Sequence, residues 1–554
     1  MKRFAAVILM LLAAVSVGTA QSAAPSVVSS ATKSANDPVL RAMLEELDRS
    51  KAKLKLADVD APYYIEYRIS DVDEFQIETV FGALRLQNRS HGRLLRVVVR
   101  VGNYKQDSYY GMGEGFTNIA VVDDDIEALR HQLWLNTDRA YKIASEALTQ
   151  KQAALKELNV EIPVDDFTQA PPVESVQPLA RLELDSQNWT ETLRAASALY
   201  RSDPLLQNFE SSLHCSATNR YLVNTEGSVV RDGKVLYNFH VGGATQAADG
   251  MRLDRGWSFV AATASELPAR AKVLEQAGKV ITSLKELREA PMADEDYRGP
   301  VLFSPGAAEN IVDNLVGSNV LGKKPRLGTP ARTTGAWTNE YKSRVLPDFI
   351  SVKDDPTLVS FKNRVLAGSY AVDDDGIKAQ VVAIIEKGKL LNYLVSRQPI
   401  RDFPQSNGHG RAGLGESPEP AMGTLIVESS EAMPPADLKK KLIELARQHD
   451  LKYGYFVESV GGELSPRVLR RVWVSDGHEE LVRGGMFGEL DTRSLRSDII
   501  AAGNDLEVSN RDGAIPNSII NPSLLFDELQ VKRVEASKDK LPEYPAPALK
   551  ASAQ

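Results

Sequence analysis

The chain reads as an α+β protein in two parts, and three observations predict this. Runs of β-branched, aromatic and alternating residues recur between Tyr63 and Ala262 and again from Tyr297 onward, the pattern of half-buried strands. Stretches of helical periodicity stand among them, notably Asp124 to Leu158 and Leu267 to Leu287. A polar connector, Ala290-Pro291 to Arg298, then separates a mixed first half from a second half richer in strands. A length of 554 residues gives room for two to four domains at about 150 residues each.

The start carries Lys2 and Arg3, an apolar run from Phe4 to Val17, then Gly18-Thr19-Ala20 before Gln21. That is the tripartite pattern of a secretory signal, and the run falls short of the ~20 residues a membrane span needs. We therefore expect residues 1–20 to be removed after Ala20, a periplasmic or secreted protein, and no stable membrane span. Residues 21–36 are rich in Ser, Ala and Thr and are expected to form a flexible linker. Residues 37–292 make the N-terminal α+β domain, 293–535 the strand-rich C-terminal domain, and 536–554, rich in Lys, Pro and Ala, a disordered tail.

Within the first domain, Asp37-Pro38 sets a cap and first turn for a helix with Leu40, Met43, Leu44 and Leu47 on one face. Strands are predicted over Tyr63 to Ser70, Gln76 to Arg85 and Leu94 to Val101, then a long helix over Asp124 to Leu158. A proline-containing loop covers Ile162 to Pro178, a helix Trp189 to Tyr200, and strands lie in Cys215 to Phe239 and around Trp257 to Ala262. In the second domain a strand from Tyr297 leads to a helix whose Ala308, Ile311, Val312 and Leu315 form one apolar stripe, with Glu309, Asn310, Asp313 and Asn314 outward. Val372-Asp-Asp-Asp-Gly376 reads as a hairpin turn between two apolar β-type runs, and Glu386-Lys-Gly388 as the next. Pro435 to Gln448 is an amphipathic helix, followed by strands over Gly454 to Val460 and Arg467 to Val474 and by an Asp476-Gly477 turn.

Sixty-six basic residues face 74 acidic ones, and a net charge of −8 leaves no electrostatic footprint for nucleic acid. The nearest histidines in sequence, His214 and His240, are 26 residues apart, which excludes a short helical pair of metal ligands. His478-Glu479 lacks a second histidine four residues on, and Asp373-Asp374-Asp375 lacks the alternating spacing of a calcium loop. Cys215, the single cysteine, cannot form an internal disulfide; on a strand its neighbour His214 points to the opposite face and cannot activate it. No Gly-x-Ser-x-Gly elbow and no Walker or dinucleotide fingerprint occurs. Ser406-Asn-Gly-His-Gly-Arg411 is different: a glycine-dense loop lets backbone approach a ligand, and an imidazole beside a guanidinium can hold a carboxylate or a peptide carbonyl.

Taken in order, Tyr297 to Gly322, Ser351-Val-Lys-Asp-Asp-Pro356, Ser369 to Gly376, Ile385 to Val395 and Ser406 to Arg411 resemble the C-terminal half of the TldD/PmbA family of bacterial peptidases and peptidase-like partners. Zinc-bearing members of that family place His-Glu-x-x-x-His on the helix after the first strand. Two registers put Ser304, Pro305 and Glu309, or Ala308, Glu309 and Asp313, at those positions here, and neither supplies an imidazole. The family's late cysteine is also missing from Glu507 to Pro522. The resemblance implies a two-domain TldD/PmbA-like α+β fold of the PmbA type, with no catalytic or metal-binding residue in this chain and zinc only in a paralogous partner. It implies pairing with a zinc-bearing TldD-like paralogue, or with itself as a dimer, to enclose unfolded peptide. Ser406, Gly408 and His409 match the family's Ser-x-Gly-His loop, so Ser406, His409 and Arg411, with Asp375 in the acidic turn, are expected to line the peptide channel. Two other readings fit the same residues: an active metallopeptidase with an unrecognised ligand set, and a stand-alone peptide-binding protein of the envelope.

Overall fold

The computed structural model describes residues 36–55, 60–158, 164–535 and 539–547. The expected signal segment and nearly all of the expected linker lie outside them, as does much of the expected tail. No described helix is long and apolar enough to cross a membrane.

The first half holds α1 (Pro38–Lys53), β1 (Tyr64–Val80), β2 (Ala83–Arg100), β3 (Phe116–Ala120), α2 (Ile126–Leu158), β4 (Glu174–Val176), α3 (Ser186–Ala198), β5 (Asn208–Asn224), β6 (Val229–Gln246), β7 (Arg252–Ala261) and α4 (Arg270–Glu289). The strands form one sheet of order β3-β2-β1-β5-β6-β4, with β7 also on β6. Alternation decides its two faces. Ile65, Tyr67, Phe75 and Ile77 of β1, with Phe209, Leu213, Cys215 and Val223 of β5, point one way and pack under the helices. The intervening residues, among them Arg68, Val72, His214 and Arg220, point the other way, into the interior between the two halves of the molecule.

Helix α1 starts where the sequence says: Asp37 accepts from the amides of Val39 and Leu40 at 2.9 and 3.0 Å, and Pro38 sits in the first turn. The expected strands near Gln76 to Arg85 and Leu94 need correction. Phe81 and Gly82, both at positive φ, turn the chain between two much longer strands, and residues 71–75 and 86–93 are paired throughout. Apolar alternation is weak there because charges are matched across the pair: Arg89 clasps Asp73 at 3.0 and 2.6 Å, Arg85 meets Glu78, and Arg93 meets Asp71.

The second half opens with β8 (Asp296–Phe303), α5 (Pro305–Ile311) and, after a long irregular stretch, β9 (Ile350–Asp354). Then come β10 (Ser360–Phe361), β11 (Arg364–Val365), β12 (Val382–Glu386), β13 (Lys389–Leu390), β14 (Gly410–Arg411), β15 (Glu419–Pro420), β16 (Thr424–Ser429) and α6 (Pro435–Gln448). The chain ends with β17 (Tyr453–Val460), β18 (Pro466–Trp473), β19 (Glu479–Val482), β20 (Gly485–Phe487), α7 (Thr492–Ser497), β21 (Ile499–Ala502), β22 (Glu507–Arg511), β23 (Asn517–Asn521) and β24 (Leu524–Arg533). Two mixed sheets result, β13-β12-β9-β16-β23-β22 and β19-β18-β17-β8-β24-β20 with β21 on β24. Their facing side chains share the largest core, with Ala307, Ala308 and Ile311 of α5 in it alongside Phe303, Val457, Leu425 and Ile519.

The apolar stripe on α5 is as expected, but two features differ. Residues 312–316 widen into a π turn in which the Gly317 amide bonds Val312 O. Glu309, expected outward, is buried. The runs flanking Asp373–Gly376 also fail to form a strand pair, since only Val372 and Lys378 bridge.

The halves are joined by buried charge. Arg397, 1% exposed, donates to Thr168 O and to Glu226 Oε1 (2.8 Å) while its guanidinium lies 4.0 Å above the Phe167 ring.

Candidate functional site

The acidic turn is the hub of the interior. Asp373 Oδ1 accepts from the amides of Asp375 and Ile377 at 3.0 and 2.8 Å, and its Oδ2 from Gly410 at 2.9 Å. Asp374 takes Arg220 of β5 on Oδ1, and Arg411 Nε with the Ala412 amide on Oδ2, both at 3.0 Å. Asp375 Oδ2 accepts from the Arg397 amide at 2.9 Å. Each carboxylate is thus consumed by protein donors, and the turn works as a clamp between the N-terminal sheet and the loop around Gly408–Arg411. Burial, with repulsion from Asp375 added, pushes Asp373 well above the usual carboxylate range. Burial acts on Asp374 too, but Arg220 and Arg411 outweigh it and hold that carboxyl down to about 2.

The loop residues divide. His409 is fully buried: Nδ1 lies 3.0 Å from Asn407 O and Nε2 3.2 Å from Asp354 Oδ1. Asp354 also accepts from Gly423 and Thr424. The expectation that His409 faces an open channel is therefore corrected: one ring nitrogen is spent on Asn407 O within the loop and the other on Asp354 of β9. Ser406 is likewise used locally, donating to Val395 O and accepting from the Gly408 amide. Asp375 is buried behind the Gly410 backbone. Gly408 supplies a φ of +76°, and a Cβ on Gly410 would stand 2.0 Å from Asp375 Oδ2, so these two glycines are required by geometry.

Arg411 is the exception. Its guanidinium stacks 4.1 Å over Tyr370, Nε is on Asp374, and Nη1 is buried with no partner among the described residues. It borders a cavity of about 550 Å³ that runs from Val72, His214 and Lys234 on the open face of the N-terminal sheet to segments 411–416 and 512–516. A volume of that order is in the ~300–1,000 Å³ range of ligand sites. Lys234 was missed by sequence reasoning. Its ammonium holds Ala367 O and Ser369 O (3.1 Å for the latter), and burial, then repulsion by Arg411 and Arg220, brings it down to about 7. No local pattern around Lys234 signals this, because the carbonyl oxygens it holds are 133 and 135 residues away in sequence. His214 faces the cavity, Asp512 lies 3.9 Å away, and the interaction with that carboxylate raises the imidazole. Cys215, one residue on, faces the helices as expected, and burial pushes its thiol up to about 12.

Near one end of the cavity lies the helix where the resemblance would put zinc. Arg511, at the end of β22, reaches Glu309 Oε1 and lies 3.0 Å from Asp313 Oδ2. A catalytic zinc needs about three N, S or O ligands and an open position. Here two carboxylates share one guanidinium that already supplies their countercharge, and Ala308 is in the core. Among the described residues no three His, Cys, Asp or Glu side chains converge to hold a metal ion. The residues do not fit zinc at this position.

Comparison with known proteins places the fold. Residues 296–533 match the PmbA/TldA metallopeptidase C-terminal domain. A metalloprotease TldD homologue of Buchnera aphidicola subsp. Acyrthosiphon pisum is 23% identical over 486 residues, 81% of this chain and 92% of its own length. The homologue from subsp. Schizaphis graminum is 26% identical over 249 residues, so the chain spans about half of that relative, 47%. Among solved structures, a candidate modulator of DNA gyrase from Thermotoga maritima superposes with a TM-score of 0.59 at 15% identity, covering 88% of this chain and 100% of its own. TldE from Thermococcus kodakarensis gives 0.57 at 12%, covering 88% and 99%. At such identities these structures establish the shared two-part α+β fold, and the second part of the chain, residues 296–533, carries the PmbA/TldA metallopeptidase C-terminal domain.

Proposed function

We propose that this protein is the zinc-less member of a peptide-processing pair, exported from the cytoplasm, which joins a zinc-bearing TldD-like paralogue and walls part of a chamber for unfolded peptide. The observation that carries the reading is the Arg511 contact with Glu309 and Asp313: a guanidinium serves the helix where a metal would have to bind. The interior cavity, bounded by both halves of the chain, supplies a surface for peptide. The leader pattern at Lys2 to Ala20 supports export.

Metal analysis of the isolated chain, peptide cleavage assays on it, and reconstitution with the paralogue test this together. We expect no stoichiometric zinc, no cleavage alone, and cleavage that depends on the partner. Chelator-sensitive cleavage by the isolated chain would overturn it, and an unprocessed Met1 in cytoplasmic protein would remove the export component.

A further inference from the structure

The cavity between the N-terminal sheet and segments 411–416 and 512–516 carries charges of both signs on its wall. Three cations, Arg220, Lys234 and Arg411, meet there, and two carboxylates answer them: Asp232, 2.6 Å from Arg220, and Asp374, shared by Arg220 and Arg411. Lys234 is held only by neutral carbonyl oxygens. Arg411, 2% exposed, keeps Nη1 without an acceptor among the described residues. A buried guanidinium N–H left unpaired costs free energy unless a ligand accepts it.

The rest of the lining limits what that ligand can be. Glu74, Glu416 and Asp512 also line the cavity, so a multiply charged anion would meet repulsion. Apolar surface from Val72, Leu236 and Pro516 offers contact to an uncharged stem. One negative charge, two acceptor oxygens and an apolar remainder fit the wall. We propose that this cavity binds a carboxylate, and specifically the C-terminal carboxylate of an extended peptide, through Arg411 Nη1 and the Lys234 ammonium. The inference deepens the peptide-chamber reading and rests on it.

The test uses the full-length mature chain and an N-terminally labelled pentapeptide, Ala-Ala-Val-Ala-Leu, as free acid and as C-terminal amide, followed by fluorescence polarisation. The acid should bind about tenfold or more tighter than the amide, the scale of one charge-assisted pair. Lys234→Met keeps the apolar stem and should weaken binding of the acid about tenfold, with the amide measured alongside. Arg411→Gln is the second variant, with thermal melting as the check on its fold. Acetate that fails to displace the acid at matched ionic strength supports the peptide terminus, whereas acetate that displaces it at the peptide's own concentration overturns the peptide assignment in favour of small free carboxylates. Equal binding of acid and amide, or a preference that survives both substitutions, overturns the proposal outright. A protein that pairs with a zinc-bearing partner yet shows no acid preference loses this inference and keeps the functional reading; a clear preference in a chain that is an active zinc enzyme by itself does the reverse.

Discussion

Arg511 Nη1 lies 3.0 Å from Asp313 Oδ2 and also reaches Glu309 Oε1, so one guanidinium answers both carboxylates on the helix that follows β8. Burial raises both carboxyls above their ordinary values even with the arginine in place. Removing the arginine raises them further in the folded state and leaves the unfolded state unchanged. A carboxyl with a raised folded pKa stabilises below the unfolded value and loses that contribution as pH rises toward the folded one. Arg511→Ala should therefore be nearly neutral at pH 4 and cost about 1–3 kcal/mol at pH 7.5, read from urea unfolding at the two pH values. A cost that is the same at both would show that the pair is not electrostatically coupled.

Asp374 is the converse case, a buried carboxylate kept ionised by Arg220 and Arg411. Asp374→Asn strands two buried guanidinium groups, and such breakage costs about 3–5 kcal/mol. The loss should be present at neutral pH and disappear as the wild type is titrated toward pH 2, where its own carboxyl protonates. Chemical unfolding across pH measures it, provided the comparison is made as a difference between the two proteins.

Lys234 gives a different pH signature. Its folded value of about 7 lies under the ordinary 10.5, so between these limits the unfolded chain holds a proton that the folded chain has shed. Stability from this position then rises with pH across the window and is lowest at and below about pH 7. The stability of the wild type minus that of Lys234→Met should climb between pH 7 and 10. A flat difference would mean that the ammonium is solvated.

Cys215 should be silent toward alkylating reagents in the native protein, because its thiol is fully buried and burial pushes it up to about 12. Labelling by iodoacetamide should track global unfolding in denaturant. Rapid native labelling would place the thiol at an opening of the helix layer.

Two glycines should behave oppositely. Gly410→Ala meets Asp375 Oδ2 at 2.0 Å and should destabilise by about 1–3 kcal/mol, the cost of overpacking. Gly306→Ala, in the first turn of α5 with nothing within 4 Å, should stabilise by about 0.4–1 kcal/mol through the unfolded state. Thermal melting of the two variants checks both signs.

What the sequence made legible was local chemistry. Pro38 and Pro435 mark helix starts that the structure places at those residues, and Glu386-Lys-Gly388 turns as a hairpin with Lys387 and Gly388 at positive φ. The β1–β2 arm was harder, since its stability rests on charges paired across strands rather than on an apolar stripe. The site was legible as a glycine loop near an acidic turn, but the direction of each side chain was not. His409 finds Asp354 55 residues earlier, Arg220 finds Asp374 154 residues later, and Arg511 finds Glu309 across 202. Periodicity carries no information on such partners, and it is they that bury Glu309, which local pattern places in solvent.

Arg397, sealed between Thr168, Glu226 and the Phe167 ring, has a thermodynamic consequence for the molecule as a whole. Drawing the halves apart breaks the Arg397 contacts with Thr168, Glu226 and Phe167 together. The polar connector near residues 290–298 is thus no hinge, and the two halves should melt as one cooperative unit with a single calorimetric peak.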